Sequence, residues 1–363
     1  MRVRDEVNGD TGAAQFPANT TKSELRLPAE WEPQAGVQLT WPHAASDWAP
    51  ILERVEVCFC EIAAAIAGHE TVLVACPDPD HIGNLLNAHG VPMERVNTYK
   101  AKTNDTWARD HGPITIYDNG ASVLCDFVFN GWGNKFPAAL DNALTANLHG
   151  QNAYGPAPLR IIDFVLEGGS IESDGTGTLL TTSRCLLSPT RNPGKSRSQI
   201  EDVLNEVLGA RRVLWLEHGY IAGDDTDSHV DTLARFCSTD TIAYVACRDE
   251  TDEHFAELRR MEEELRSFRT ESGQPYRLVP LPFPRACYDE DGARMPATYA
   301  NFLIVNGAVL APTYGVPQDD EALSIIQSCF PDREVAGVDC SSLIVQHGSL
   351  HCVTMQLPEG ITL

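Results

Sequence analysis

The chain has 363 residues, 43% of them hydrophobic and 21% charged, enough to build a substantial core in one large domain or two ordinary ones. Its formal net charge of −24 argues against nucleic acid as a partner, because phosphates would be repelled; it suits either plain solubility or a cationic substrate. No apolar run approaches the roughly 18 residues that span a membrane, and the opening Met1-Arg-Val-Arg-Asp-Glu-Val-Asn-Gly-Asp10 lacks the apolar centre of an export signal.

Residues 1 to about 22 are polar, rich in Asn, Thr, Gly and Asp, and are expected to be flexible. From residue 23 to 363 no Pro, Gly or Ser linker interrupts the chain, which favours a single domain. Ile51, Val55, Phe59, Ile62 and Ile66 share one helical face that closes at Gly68. Ile114–Tyr117 and Ser122–Cys125 flank Asp118-Asn-Gly120 as a hairpin, and Thr178–Thr182 follows the turn Asp174–Gly177. Ile200, Val203, Leu204, Val207 and Leu208 give a second helix ending at Gly209. Thr232–Cys237 and Ile242–Ala246 flank a polar turn at Ser238–Asp240. A third helix carries Phe255, Leu258, Met261, Leu265 and Phe268. Phe302–Val305 and Ala308–Ala311 flank Asn306-Gly307, a strong hairpin signal. A fourth helix, Ala322 to Phe330, stops at Pro331.

Hairpins followed by helices recur every 50 to 70 residues or so, the range of an internal α/β repeat. A fifth unit would pair Val37–Trp41 with Leu350–Gln356, setting the last strand beside an early one and closing a ring. Eleven cysteines is an odd number, scattered as singletons apart from Cys58 and Cys60. With no export signal, free thiols in a reducing, cytoplasmic setting are the simpler reading. No CxxC or HExxH motif supports a metal site.

The chemistry-bearing residues fall just before, or at the start of, the repeats: Asp110, Glu167, His229 with Asp231, and Cys352. A ring would gather these positions at its axis. Singly, Cys352 is more often a buried inert thiol and His229 more often a structural histidine, while Asp110 could be an ion-pair partner of Arg109 and Glu167 a turn cap. Asp231, two residues after His229, would share its face on a strand. Together, a thiol, an imidazole and three carboxylates suit covalent attack on a cationic carbon. A cysteine protease also needs a thiol and an imidazole, but not this surplus of carboxylates; a planar guanidinium does want them, as acceptors of paired hydrogen bonds.

Trp31-Glu-Pro33, Asn104-Asp-Thr-Trp-Ala-Arg-Asp110, Glu167-Gly-Gly-Ser-Ile-Glu-Ser-Asp174, Gly223-Asp-Asp-Thr-Asp-Ser-His-Val-Asp231 and His347-Gly-Ser-Leu-His-Cys352 resemble the agmatine deiminase and bacterial-type peptidylarginine deiminase family, from about Pro28 to Pro358. Plant-type members read Asn-Gly-His-Val-Asp and Gly-Gly-Gly-Asn-Ile-His-Cys, so these variants resemble the bacterial branch. The resemblance implies the pentein fold, a five-bladed α/β propeller, and hydrolytic deimination of a small cationic guanidine with no metal or organic cofactor. It assigns Cys352 as nucleophile, His229 as acid and base, Glu167 as the residue orienting His229, and Asp110 and Asp231 as guanidinium acceptors. Trp107 falls to substrate binding, and family members are often homodimers. The expected substrate is agmatine, whose second cation could meet Asp224 or Asp225; a solvated acidic turn is the equal alternative for those two. An arginyl peptide or another small guanidine is the runner-up substrate, and a pentein that binds without turnover is the remaining option.

Overall fold

Residues 24–363 are described by the structure, a computed structural model; the polar segment expected to be flexible, residues 1–22, lies outside them. All the hairpins expected from the sequence form. Ile114–Asp118 pairs with Ala121–Val128 across Asn119-Gly120, both left-handed, as a tight two-residue hairpin turn requires. Ile171–Ser173 pairs with Thr178–Thr182, Ala234–Ser238 with Thr241–Ala246, and Leu303–Val305 with Ala308–Thr313. Thr354–Pro358 runs antiparallel to Gln34–Thr40, so the expected pairing of a late strand with an early one is present.

Each hairpin also gains a parallel strand: Leu159–Val165, Arg212–Leu216, Arg277–Pro282, Glu334–Asp339 and Thr71–Cys76 extend the five sheets in the same sense. A parallel neighbour cannot follow a tight turn and needs a crossover, which helices supply. Leu52–Ala67, Arg197–Leu208, Phe255–Ser267 and Asp319–Cys329 are those helices in four of the sheets; short helical turns between 131 and 150 serve the other. The outcome is an α/β architecture of five mixed sheets, each with at least one antiparallel and one parallel pairing, plus the small hairpin Cys287–Tyr288 with Arg294–Met295.

The helices bury the faces that the sequence marks. In Phe255–Ser267, Leu258, Met261 and Leu265 are buried, each worth about 1.5–3 kcal/mol of apolar transfer. Arg197–Leu208 opens on a reciprocal cap between Ser196 and Gln199 and ends at left-handed Gly209. The last helix begins at Asp319 rather than Ala322, because Asp319, Asp320 and Glu321 occupy its first turn, where the helix dipole favours anions. Among the described residues no helix is long and apolar enough to cross a membrane.

Two strands start later than expected. Residues 230–232 form a 3₁₀ turn, so that strand begins at Ala234; residues 350–353 are also a turn, and that strand begins at Thr354. Threonine hydroxyls hold both turns by bonding back to the chain: Thr232 Oγ1 donates to His229 O at 2.8 Å, and Thr354 Oγ1 to His351 O at 3.0 Å. His229 and Asp231 therefore do not share a strand face. Similar turns, at 108–111, 168–170 and 299–300, precede the first strands of the other hairpins.

Candidate active site

These turns carry the chemistry. Asp110 sits in the turn Ala108–His111, and both of its oxygens are engaged: Trp132 Nε1 donates to Oδ2 at 2.9 Å and Gly169 N to Oδ1 at 3.1 Å. Burial pushes this carboxyl well above its ordinary range, and the charges of Asp231 and Glu167 push it further. Gly169 is where the turns meet. A Cβ there would lie 2.6 Å from His229 Nδ1, 3.0 Å from Asp110 Oδ1 and 3.1 Å from Asp231 Oδ2, so only glycine lets these three side chains converge.

His229 Nδ1 lies 3.6 Å from Asp110 Oδ1, and its Nε2 is buried without a hydrogen-bond partner. Burial lowers this imidazole to about 3 despite the nearby Asp231 carboxylate, so it is neutral and able to accept a proton. Asp231 is completely buried. Its Oδ2 receives His351 Nδ1 at 2.7 Å while Oδ1 has no partner. Burial alone would raise Asp231; the hydrogen bond and charge of His351 outweigh it, and the carboxyl is lowered.

Cys352 lies in the turn before the closing strand and is 6% exposed. Burial raises its thiol well above the ordinary value, and the Asp231 and Asp110 carboxylates add to that. Asn301 fixes its position. Asn301 Oδ1 accepts from His351 N at 2.9 Å, Cys352 N at 3.3 Å and Cys352 Sγ at 3.3 Å, and its amide nitrogen donates to Asp231 O at 3.4 Å. The sequence reading passed over Asn301, although it precedes the Phe302 strand as the other site residues precede theirs.

Glu167 comes within 4.8 Å of a ring nitrogen of His229, but its hydrogen bonds go elsewhere. Arg191 Nε donates to both of its oxygens, at 2.8 and 3.0 Å, and the same guanidinium reaches Asp227 Oδ2 and Thr226 O, each at 2.7 Å. Burial raises the Glu167 carboxyl and Arg191 opposes it. Arg191, also missed from sequence, thus ties Glu167 to the loop that leads into His229. Among the described residues two clusters have the donor types of a metal site, Glu167 with Cys185 and His229, and Glu30 with Glu172 and His351. In each the protein supplies its own cation: Arg191 in the first, Arg235 in the second.

Cys352 and Asp110 reach the wall of an open pocket of about 630 Å³, with Trp107 and Trp132 beside them. His229, Asp231 and Glu167 are buried behind it. Gly348 packs on Trp107 so closely that a Cβ would fall 2.1 Å from the ring. Asp224 and Asp225 both line the mouth, joined by Asp47 and Asp105. They are not equivalent. The Asp224 carboxylate takes Thr226 N at 3.1 Å, the Thr226 hydroxyl, and Ser228 N at 2.7 Å, and so it builds the loop. Asp225 does not tie other residues of the loop together in this way, and burial raises it to about 6.

Residues 26–358 match the model of the Porphyromonas-type peptidyl-arginine deiminases. The chain belongs to that family. A solved Porphyromonas gingivalis structure, provisionally named an arginine deiminase, is 53% identical with a TM-score of 0.89, covering 93% of this chain and 99% of its own. The C. jejuni agmatine deiminase, solved as a cysteine-to-serine variant with substrate bound, is 37% identical over 96% of this chain and 100% of its own, with a TM-score of 0.87. A Latilactobacillus sakei protein provisionally named an agmatine deiminase is 31% identical over 93% of this chain and 97% of its own. The family thus carries more than one substrate name, and the pocket has to distinguish among them.

Proposed function

We propose that this protein hydrolyses agmatine to N-carbamoylputrescine and ammonia, a step toward putrescine. The observation that carries the reading is a pair of buried, unpartnered polar atoms, Asp231 Oδ1 and His229 Nε2, close to a thiol and to Asp110. A buried acceptor without a partner is costly; a guanidinium N–H satisfies it, and the cation offsets the repulsion between the two aspartates. The five like sheets support arrangement as a five-bladed propeller in a single catalytic domain over residues 23–363, with the turns meeting at its axis. Eleven free thiols fit a reducing, cytoplasmic setting.

In the proposed mechanism the guanidinium lies between Asp110 and Asp231 with its plane across Cys352. Its positive charge counteracts the carboxylates that hold the thiol proton in place, and that proton passes to neutral His229. The Cys352 sulfur forms a bond to the central carbon, and the tetrahedral adduct takes a proton from His229 as its C–N bond breaks, releasing ammonia. Water then gives a proton to His229 and adds to the same carbon. Collapse breaks the C–S bond and returns the thiolate, which His229 reprotonates; the hydroxyl proton of the adduct leaves to solvent, where it converts the released ammonia to ammonium, and the neutral ureido product remains. Glu167, locked by Arg191, adds negative charge near His229 whenever the ring is protonated.

The acid-lined mouth favours a second cation and disfavours the carboxylate of free arginine. Asp225, with Trp107 flanking the alkyl chain, is the candidate tail contact; Asp224 supports it from behind. Ammonia release measured with agmatine, free arginine, an arginyl peptide and methylated arginines tests the reading. Turnover of agmatine above all others is the expected result, and preference for the arginyl peptide would transfer the assignment to a peptidylarginine deiminase. No turnover of any guanidine would leave a binding pentein.

A further inference from the structure

His351, directly before the nucleophile, is 1% exposed and has an anion at each end of its ring. Nδ1 lies 2.7 Å from Asp231 Oδ2, and Nε2 lies 2.7 Å from Glu30 Oε2. An ionised carboxylate only accepts hydrogen bonds, so each ring nitrogen is the group placed to donate to the carboxylate it faces. Glu30 is itself held ionised. Arg235 Nη2 donates to Oε2 at 2.9 Å and Ile304 N to Oε1 at 2.7 Å. Burial pushes Glu30 up, but His351, Arg235 and Arg109 together bring it below the ordinary carboxylate range.

The consequence falls on Asp231. With Oδ2 tied to His351, Oδ1 is the oxygen left bare. We propose that His351, anchored by Glu30, is a positioning residue for the reaction: it fixes the orientation of Asp231 and keeps it ionised, so that one oxygen is always presented to the guanidinium. His351 touches neither the substrate nor the reacting atoms in this scheme. The proposal rests on the deiminase reading above. The other charged or titratable groups near this line are Arg109, Arg235, Glu172, Glu70 and Arg333 on the Glu30 side, and Asp110, His229 and Cys352 on the Asp231 side.

The test compares His351→Leu, His351→Asn and Glu30→Gln with the unaltered protein, reading kcat and KM for agmatine across pH, with thermal melting as the check on folding. Leucine removes both bonds; asparagine keeps an N–H for Asp231 while losing Glu30. In folded H351L, kcat/KM should fall about 100-fold, the scale of a lost charged hydrogen bond. Its acid limb should move to higher pH, because Asp231 has lost the partner that lowers it. H351N should recover at least about tenfold of that loss, and E30Q should show a smaller shift of the acid limb in the same direction. A folded H351L with the kinetics and acid limb of the unaltered protein overturns the proposal, as do H351L and H351N impaired equally. Should H351L fail to fold, E30Q decides, and an unmoved acid limb there overturns it. Failure of the unaltered protein to turn over agmatine or any other guanidine would sink the deiminase reading instead.

Discussion

Glu30 and Asp231 are both buried carboxylates on the same histidine, yet they sit in opposite circumstances. On the Glu30 side the carboxylates are matched: Arg235, fully buried, bridges Glu30 and Glu172, donates to Phe302 O at 2.5 Å, and stacks its guanidinium 4.6 Å from the Phe302 ring. On the Asp231 side, Asp231 Oδ1 and His229 Nε2 are left without partners, and Asp110 is pushed up by burial and by its like-charged neighbours. The first arrangement is complete by itself and is framework. The second is completed only by a cation from outside, which is the physical signature of a binding site.

Substitutions on the two sides should therefore separate activity from stability. The largest effect belongs to Cys352→Ser, expected to lower ammonia release about a thousandfold or more while leaving the melting temperature nearly unchanged. Labelling by a haloacetamidine, followed by mass spectrometry, should then disappear from this position alone. On the framework side, Arg235→Leu leaves Glu30 and Glu172 buried and uncompensated, and should cost about 3–5 kcal/mol in chemical denaturation. Asp110→Asn is the converse: a severe loss of turnover with stability changed by no more than about 1 kcal/mol, because the lost charge was already disfavoured by burial. Equal destabilisation by R235L and D110N would erase the distinction.

Acid tests the same contrast more gently. His111 and His229 are each lowered by burial to about 3, from an unfolded value near 6.5. Each favours the folded state fully above the unfolded value, and that contribution is lost as pH falls through 6.5 toward 3. Neither ring nitrogen of His111 has a partner, so His111→Phe removes a titration without breaking a bond. The variant should lose about 2 kcal/mol less stability than the unaltered protein between pH 7 and pH 5, read from urea midpoints. The smallest effect expected is at the mouth, where Asp225→Asn should raise KM for agmatine a few-fold with kcat nearly constant. Asp224→Asn should instead loosen the 224–228 loop and lower kcat.

Much of this was legible in the chain. Asn119-Gly120 specified its hairpin because few other pairs tolerate two left-handed residues, and Asn306-Gly307 did so through its glycine, the one residue of that pair with positive φ. The apolar faces closing at Gly68 and Gly209 specified helices of nearly the observed length. The parallel strands were not legible: Leu159–Val165 and Arg277–Pro282 alternate weakly, and their partners lie beyond a helix. The five chemical residues stood out by type and by place before a hairpin. Arg191 and Asn301 did not, since neither belongs to a motif whose chemistry demands it; their roles come from reaching across to Glu167 and Cys352. The strand assumption for His229 and Asp231 failed because Thr232 bonds back to His229 O and closes a turn, a local competition that periodicity cannot register.

The pairing of Thr354–Pro358 with Gln34–Thr40 joins positions more than three hundred residues apart, Thr354 opposite Leu39. Such a contact carries the greatest loop-closure entropy in the molecule and is slow to form. The thiol stands two residues before that strand. Sheets built from nearer neighbours can therefore be in place while the nucleophile is not, and recovery of turnover after denaturation should trail recovery of the helical circular-dichroism signal. The seam that joins early and late chain thus makes chemical competence the last property the folding protein acquires.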